Sequence, residues 1–237
     1  MANPTTVRNP AAATVHNAGL ARYMSGTFAL TGAGIGLAFA VSYWLATATN
    51  FVAFIKANPL AFLVAYLVAA IGLIVAMSRA AKTRNATMAQ LAYWPFCGLL
   101  GTALAYIHVR YAVGSIVQVF ALTTAMFAAL ALYGYTTKRN LSGWGTFLLM
   151  GLVGIIGASL LNVFLVQSLA LKFAINIVGV LVFAGFTAYD VQSIKDTYAQ
   201  EGDHTSGRIF GAVGLVLDFI NLFQHLLSLV GMNPIKD

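Results

Sequence analysis

The chain has 237 residues, 60% of them hydrophobic and only 8% charged, against roughly 25% charged in a soluble globular domain. So few charges cannot keep a surface of this size in water, which leaves an integral membrane protein. The formal net charge of +7 does not point to nucleic acid, because the basic residues sit in short clusters between apolar runs, as membrane topology signals do.

The predicted elements begin with a polar, alanine-rich stretch over 1–22, "MANPTTVRNPAAATVHNAGLAR". It has no apolar core close behind a charged start, so it is not a cleaved signal peptide. It reads as a flexible, water-exposed tail, and residues 23–237 read as one membrane domain. Crossing a bilayer core takes a helix of about 20 mostly apolar residues. Seven runs qualify: Met24–Ala48, Pro59–Met77, Met88–Ile107, Ser115–Tyr135, Trp144–Val166, Leu171–Ile194 and Ile209–Val230. The third is interrupted by Gln90 and Pro95. A membrane barrel would instead alternate in polarity over segments of about 10 residues. The expected class is an all-α integral membrane protein with seven transmembrane helices. The glycines of "GAGIG" (Gly32, Gly34, Gly36) and "GLVGIIG" (Gly151, Gly154, Gly157) read as close helix contacts. No strand precedes the first set, so it is not a dinucleotide loop.

Lys and Arg in the connections set the orientation. The tail and every second loop hold Arg8, Arg22, Arg79, Lys82, Arg84, Lys138, Arg139, Lys195 and Arg208; the other side holds Lys56, Arg110, Lys172 and Lys236. This bias puts the N-terminus in the cytoplasm and, with seven spans, the C-terminus outside. The longest connection runs from Lys195 to Arg208, "KDTYAQEGDHTSGR". No connection is large enough to fold as a domain of its own.

The chemistry is sparse. Of six acidic residues, Asp196, Glu201 and Asp203 fall in a connection and Asp237 ends the chain; these read as solvated surface. Asp190 and Asp218 remain at membrane depth. Asp218 lies roughly 14 Å into a core about 30 Å thick, where a charge costs at least ~2.5–3.5 kcal/mol. It is expected to face the bundle interior. At 100° per residue Gly211, Gly214, Asp218, Asn221 and His225 fall within about 80° of one another, a polar and small stripe suited to a central helix lining a cavity. A hydrogen-bonded structural network is the plainer alternative. Asp190 lies near the cytoplasmic end of the sixth span. Straight helices with these boundaries place the two acids roughly 8 Å apart along the membrane normal. Held together in low dielectric, such a pair would sense protons and, once deprotonated, bind a hard cation.

Arg79, in "AMSRAAKTR", is a candidate counter-charge for these acids, or an ordinary anchor at the basic interface. His225 on the stripe is a candidate for tuning a proton path or for a plain helix–helix hydrogen bond; His108 lies at the outer end of the third span, and His16 and His204 are expected in water. The single cysteine, Cys97, rules out an intrachain disulfide and a Cys-based zinc site. No H-E-x-x-H, G-x-S-x-G or Walker pattern occurs, so no enzyme site is expected.

Three stretches carry a resemblance: "YGYTTKRNLSGWGTFLLMGLVGIIGASLLNVFL" (Tyr133–Leu165), "TAYDVQSIK" (Thr187–Lys195) and "LDFINLF" (Leu217–Phe223). They resemble the transmembrane Bax inhibitor motif family, also called the Bax inhibitor-1 family, and its bacterial members in particular. The resemblance implies seven helices with the seventh central, in a bacterial inner membrane. It implies a pH-sensitive calcium leak with a di-aspartyl sensor, matched here by Asp190 and Asp218, which would also be the ligands of any bound calcium. It implies an arginine latch, matched by Arg79. The implied partners are membrane lipids, calcium ions and, in a rival reading, a membrane protease or other membrane protein that the chain regulates without moving ions. A third reading, a proton-coupled transporter, would be supported by internal repeats, and none is found.

Overall fold

The computed structural model describes residues 10–230, with side chains from Asn17 onward. Arg8, Lys236 and Asp237, and the side chain of His16, lie outside the described residues. The chain is helical almost throughout: α1 (Pro10–Ala48), α2 (Phe51–Ala57), α3 (Pro59–Lys82), α4 (Ala86–Leu104), α5 (Ile107–Arg110), α6 (Val113–Thr136), α7 (Trp144–Leu161) continued by a π turn (Asn162–Val166), α8 (Leu169–Glu201) and α9 (Thr205–Val230). No strand occurs among the described residues.

Six of these helices are long and apolar enough to cross a membrane: Asn17–Ala48, Pro59–Lys82, Val113–Thr136, Trp144–Val166, Leu169–Glu201 and Thr205–Val230. The expected third span corresponds to α4, which is helical but falls short of that measure because Gln90, Tyr93, Pro95 and Thr102 dilute it. It packs between α1 and α3 and buries Tyr93, Phe96, Cys97 and Leu100.

The boundaries differ from expectation at two places. Helix α1 starts at Pro10, so the second half of the expected tail is helical. Proline suits a first helical position, and the alanines behind it are the strongest helix formers. The larger difference is at the expected connection Lys195–Arg208. Helix α8 runs on to Glu201 and α9 begins at Thr205. The turn is closed by Gly202, whose φ of 78° suits glycine. Polar residues here continue the helices beyond the apolar core rather than forming a loop.

Helix α9 is the axis of the bundle. It packs against α1, α3, α4, α6 and α8, and over half of its most apolar window is buried, against 6% for α3 and for α7. The outer helices expose Leu60, Val68, Phe147 and Phe164, as expected of surfaces that meet hydrocarbon. Around the middle of α9, Phe39, Phe120, Phe127, Phe219 and Phe223 meet edge to face at 4.9–5.6 Å between centroids, the arrangement ring quadrupoles favour.

Candidate functional site

The tight α8–α9 turn decides the position of the acids. From the turn, Asp190 lies about 17 Å back along α8 and Asp218 about 20 Å along α9, at 1.5 Å per residue. The two therefore sit at nearly the same depth, and their carboxyl groups are within hydrogen-bonding reach of each other. The 8 Å offset expected from the sequence disappears because both helices extend past their apolar ends to a shared pivot. Asp218 is 4% exposed, and its Oδ2 has no hydrogen-bond partner among the described residues. Asp190 is partly buried.

Glycine makes room for the pair. A methyl group at Gly214, one turn before Asp218, would come within 2.5 Å of Asp190 Oδ2. Gly207, Gly211 and Gly214, with Phe210, Val213 and Leu217, form the α9 wall of a cavity of about 490 Å³. Opposite them, α8 contributes Asp190, Ser193, Thr197 and Glu201, and α3 contributes Ser78 and Lys82. The cavity begins among charged residues near the turn and reaches inward to Asp190. These α8 residues recur every three or four positions. That spacing was available in the sequence but was hidden by reading the second half as a loop.

The mouth is ordered by a histidine expected to lie in water. His204 Nδ1 accepts from the Gly207 N–H at 3.0 Å, capping α9, and its Nε2 faces Glu201 Oε2 at 3.0 Å. An acceptor Nδ1 places the ring proton on Nε2. Asp203, also expected as free surface, forms a two-pronged ion pair with Arg208. Arg84 Nη2 donates to the Glu201 carbonyl at 3.1 Å, tying the α3–α4 turn to the end of α8.

The remaining predicted residues fall elsewhere. Arg79 is exposed and belongs to neither ion pair among the described residues; Lys82, one turn on, lines the cavity instead. Asn221 donates to the Leu217 carbonyl of its own helix at 2.8 Å. His225 Nδ1 donates to Asn176 Oδ1 at 2.9 Å, and Asn176 Nδ2 donates to Ser228 Oγ at 2.8 Å. The His225 ring stacks on Phe183 at 5.7 Å and lies over Gly179. The stripe on α9 thus divides: its glycines and Asp218 serve the acid pair, while Asn221 and His225 are satisfied helix contacts. His108 bonds Ser42 Oγ at 2.9 Å, and burial pushes its imidazole below the ordinary histidine value. No three of His, Cys, Asp and Glu come together as a metal site among the described residues.

The family model for the inhibitor of apoptosis-promoting Bax1 matches residues 20–234. The chain belongs to this family, the Bax inhibitor-1 family. Among its relatives is the inner membrane protein YbhL of Escherichia coli K12, 36% identical over 219 residues, covering 90% of this chain and 93% of the relative. An uncharacterized protein of Caulobacter vibrioides is 37% identical over 234 residues, covering 92% and 91%. An uncharacterized membrane protein of Streptococcus pyogenes serotype M1 is 33% identical over 224 residues, covering 93% and 96%.

Proposed function

We propose that the protein is a passive, proton-regulated leak path for calcium, with Asp190 and Asp218 as the proton sensor. The observation that supports this best is the pair itself: two carboxyl groups within hydrogen-bonding reach at the inner end of a cavity with a row of polar side chains along α8. Carboxylates this close in low dielectric do not both ionise, so the pair shares a proton. When that proton leaves, the extra negative charge attracts a hard cation or a cationic side chain. Arg79, exposed in this conformation, is the proposed latch of the deprotonated, closed state. Reprotonation releases it and shifts the population toward conduction. The cavity opens toward the charged turn, while the His225–Asn176–Ser228 network and Phe183 occupy the other end of α8 and α9. Conduction therefore requires these two helices to move. The reading assigns no catalysis.

In this reading the basic side faces the cytoplasm of a bacterial inner membrane, and α4 supplies a seventh crossing. Its length, about 28 Å at 1.5 Å per residue, nearly matches a hydrocarbon core of about 30 Å. The test is calcium entry into liposomes containing the purified protein, followed against pH. Flux is expected to rise as pH falls, and the double change Asp190→Asn, Asp218→Asn is expected to abolish that response. An unchanged pH profile in the double variant would rule the sensor out. No flux in pure liposomes, together with a co-purifying membrane protease, would favour a regulatory role instead.

A further inference from the structure

The "GAGIG" motif behaves in two ways. A methyl group at Gly34 would come within 2.3 Å of the Tyr93 hydroxyl and 2.9 Å of Cys97 Sγ, so this glycine is a close α1–α4 contact. A methyl group at Gly32 or Gly36 would meet nothing within 4 Å among the described residues. Both are exposed. Instead of admitting a neighbouring helix, they form the floor of a cavity of about 680 Å³ between α1 and α6, with Phe219 of α9 at its back.

The chemistry of this groove selects its occupant. Its walls are hydrocarbon, including Phe28, Ile35, Phe120 and Phe127. The serine and threonine hydroxyls on it donate within their own helices: Ser25 to the Arg22 carbonyl, Thr31 to the Thr27 carbonyl and Thr124 to the Phe120 carbonyl. Between its ends, none of these hydroxyl protons is left to donate to a polar solute. Its α1 lining, from Ala21 to Gly36, extends about 22 Å at 1.5 Å per residue, enough for the ~15 Å that one leaflet contributes to the hydrocarbon core. Its volume is within the ~300–1,000 Å³ of ligand sites.

The groove is not apolar at both ends. Tyr135 closes the end nearest the basic loops. Lys195 Nζ donates to the Tyr135 carbonyl and lies 5.1 Å above its ring, leaving further ammonium donors free. Arg22 is exposed directly after Ala21. Neither cation belongs to an ion pair among the described residues. We propose that this groove holds one acyl chain of an anionic phospholipid from the leaflet on the basic side, with the phosphate between Arg22 and Lys195.

The test uses the full chain, delipidated in detergent, and native mass spectrometry with dioleoyl phosphatidylglycerol or dioleoyl phosphatidylcholine. One phosphatidylglycerol per chain is expected, in preference to phosphatidylcholine. The double change Gly32→Leu, Gly36→Leu is expected to fill the floor and remove both lipids, with helicity and thermal midpoint retained. Arg22→Gln and Lys195→Gln are expected to weaken phosphatidylglycerol about tenfold, the scale of one or two basic contacts at a headgroup, and to leave phosphatidylcholine unchanged. Should Lys195→Gln fail to fold, Arg22→Gln alone still reads the headgroup contact. Equal retention of the two lipids, full retention by the glycine variant, or a disulfide-linked dimer through Gly36→Cys would each overturn the proposal.

Discussion

Two hollows border α9, and glycine lines both, yet only one carries charged side chains. The one between α3, α8 and α9 combines Asp190, Ser193, Thr197, Glu201 and Lys82 with apolar side chains such as Ile74, Phe210 and Leu217. The one between α1 and α6 is walled by aromatic and aliphatic side chains. Removing a side chain creates space in each case, but the facing helix decides what the space holds. Opposite Gly214 stands Asp190, from which a row of polar side chains runs along α8 toward the turn, while Gly207 and Gly211 pack on Tyr23, His204 and Ile194. Opposite Gly32 and Gly36 stand Phe120, Thr124, Phe127 and Ala128 of α6, and the Thr124 hydroxyl has already bonded its own backbone. A glycine stripe therefore does not announce a polar path or a helix contact until its partner is known.

The comparison can be broken most severely at Gly134, a glycine of a third kind. A methyl group there would come within 2.3 Å of the Ala188 carbonyl, which is backbone and cannot move aside. Gly134→Ala is expected to destabilise the α6–α8 contact by about 1–3 kcal/mol, measured by unfolding in mixed micelles. Gly36→Ala is expected to leave stability unchanged or raise it by up to about 1 kcal/mol. Equal losses at the two sites would mean that the groove is not open.

The next effect is on the acid pair. Gly214→Ala places a methyl group against Asp190 and is expected to separate the two carboxyls. The pH response of calcium flux is then expected to collapse, whereas Gly36→Ala keeps it. Accessibility sharpens the same contrast. In a Cys97→Ser background, Ser193→Cys is expected to react with a membrane-impermeant thiol reagent and Gly36→Cys with a permeant one only. The smallest effect is at the mouth. Glu201→Gln is expected to lower calcium flux roughly two- to fivefold by reducing local cation concentration, with the pH midpoint unchanged. A shift of that midpoint would instead make Glu201 part of the sensor.

Much of the design was legible in the chain. Composition alone dictates a membrane protein, and the apolar runs match six crossing helices closely because each must satisfy its own backbone in hydrocarbon. The depth of Asp218 made it an interior acid, since exposure to lipid is too costly. The α9 stripe located Gly214 and Asp218 on one face. What misled was polarity taken as a loop signal. The stretch after Ile194 is helical because α8 projects beyond the core, so that Ser193, Thr197 and Glu201 form a cavity wall rather than a surface turn.

Tertiary structure alone decided the pairing of Asp190 with Asp218, since two acids on different helices meet only if the turn between them sets a common depth. It alone separated Gly34, which packs, from Gly32 and Gly36, which do not. It alone turned His225 and Asn221 into satisfied contacts and left Asp218 Oδ2 without a partner among the described residues. Local sequence determines whether a segment enters the membrane, because the cost of burial is paid residue by residue. Which face meets a polar wall, an apolar groove or another helix depends on residues far along the chain.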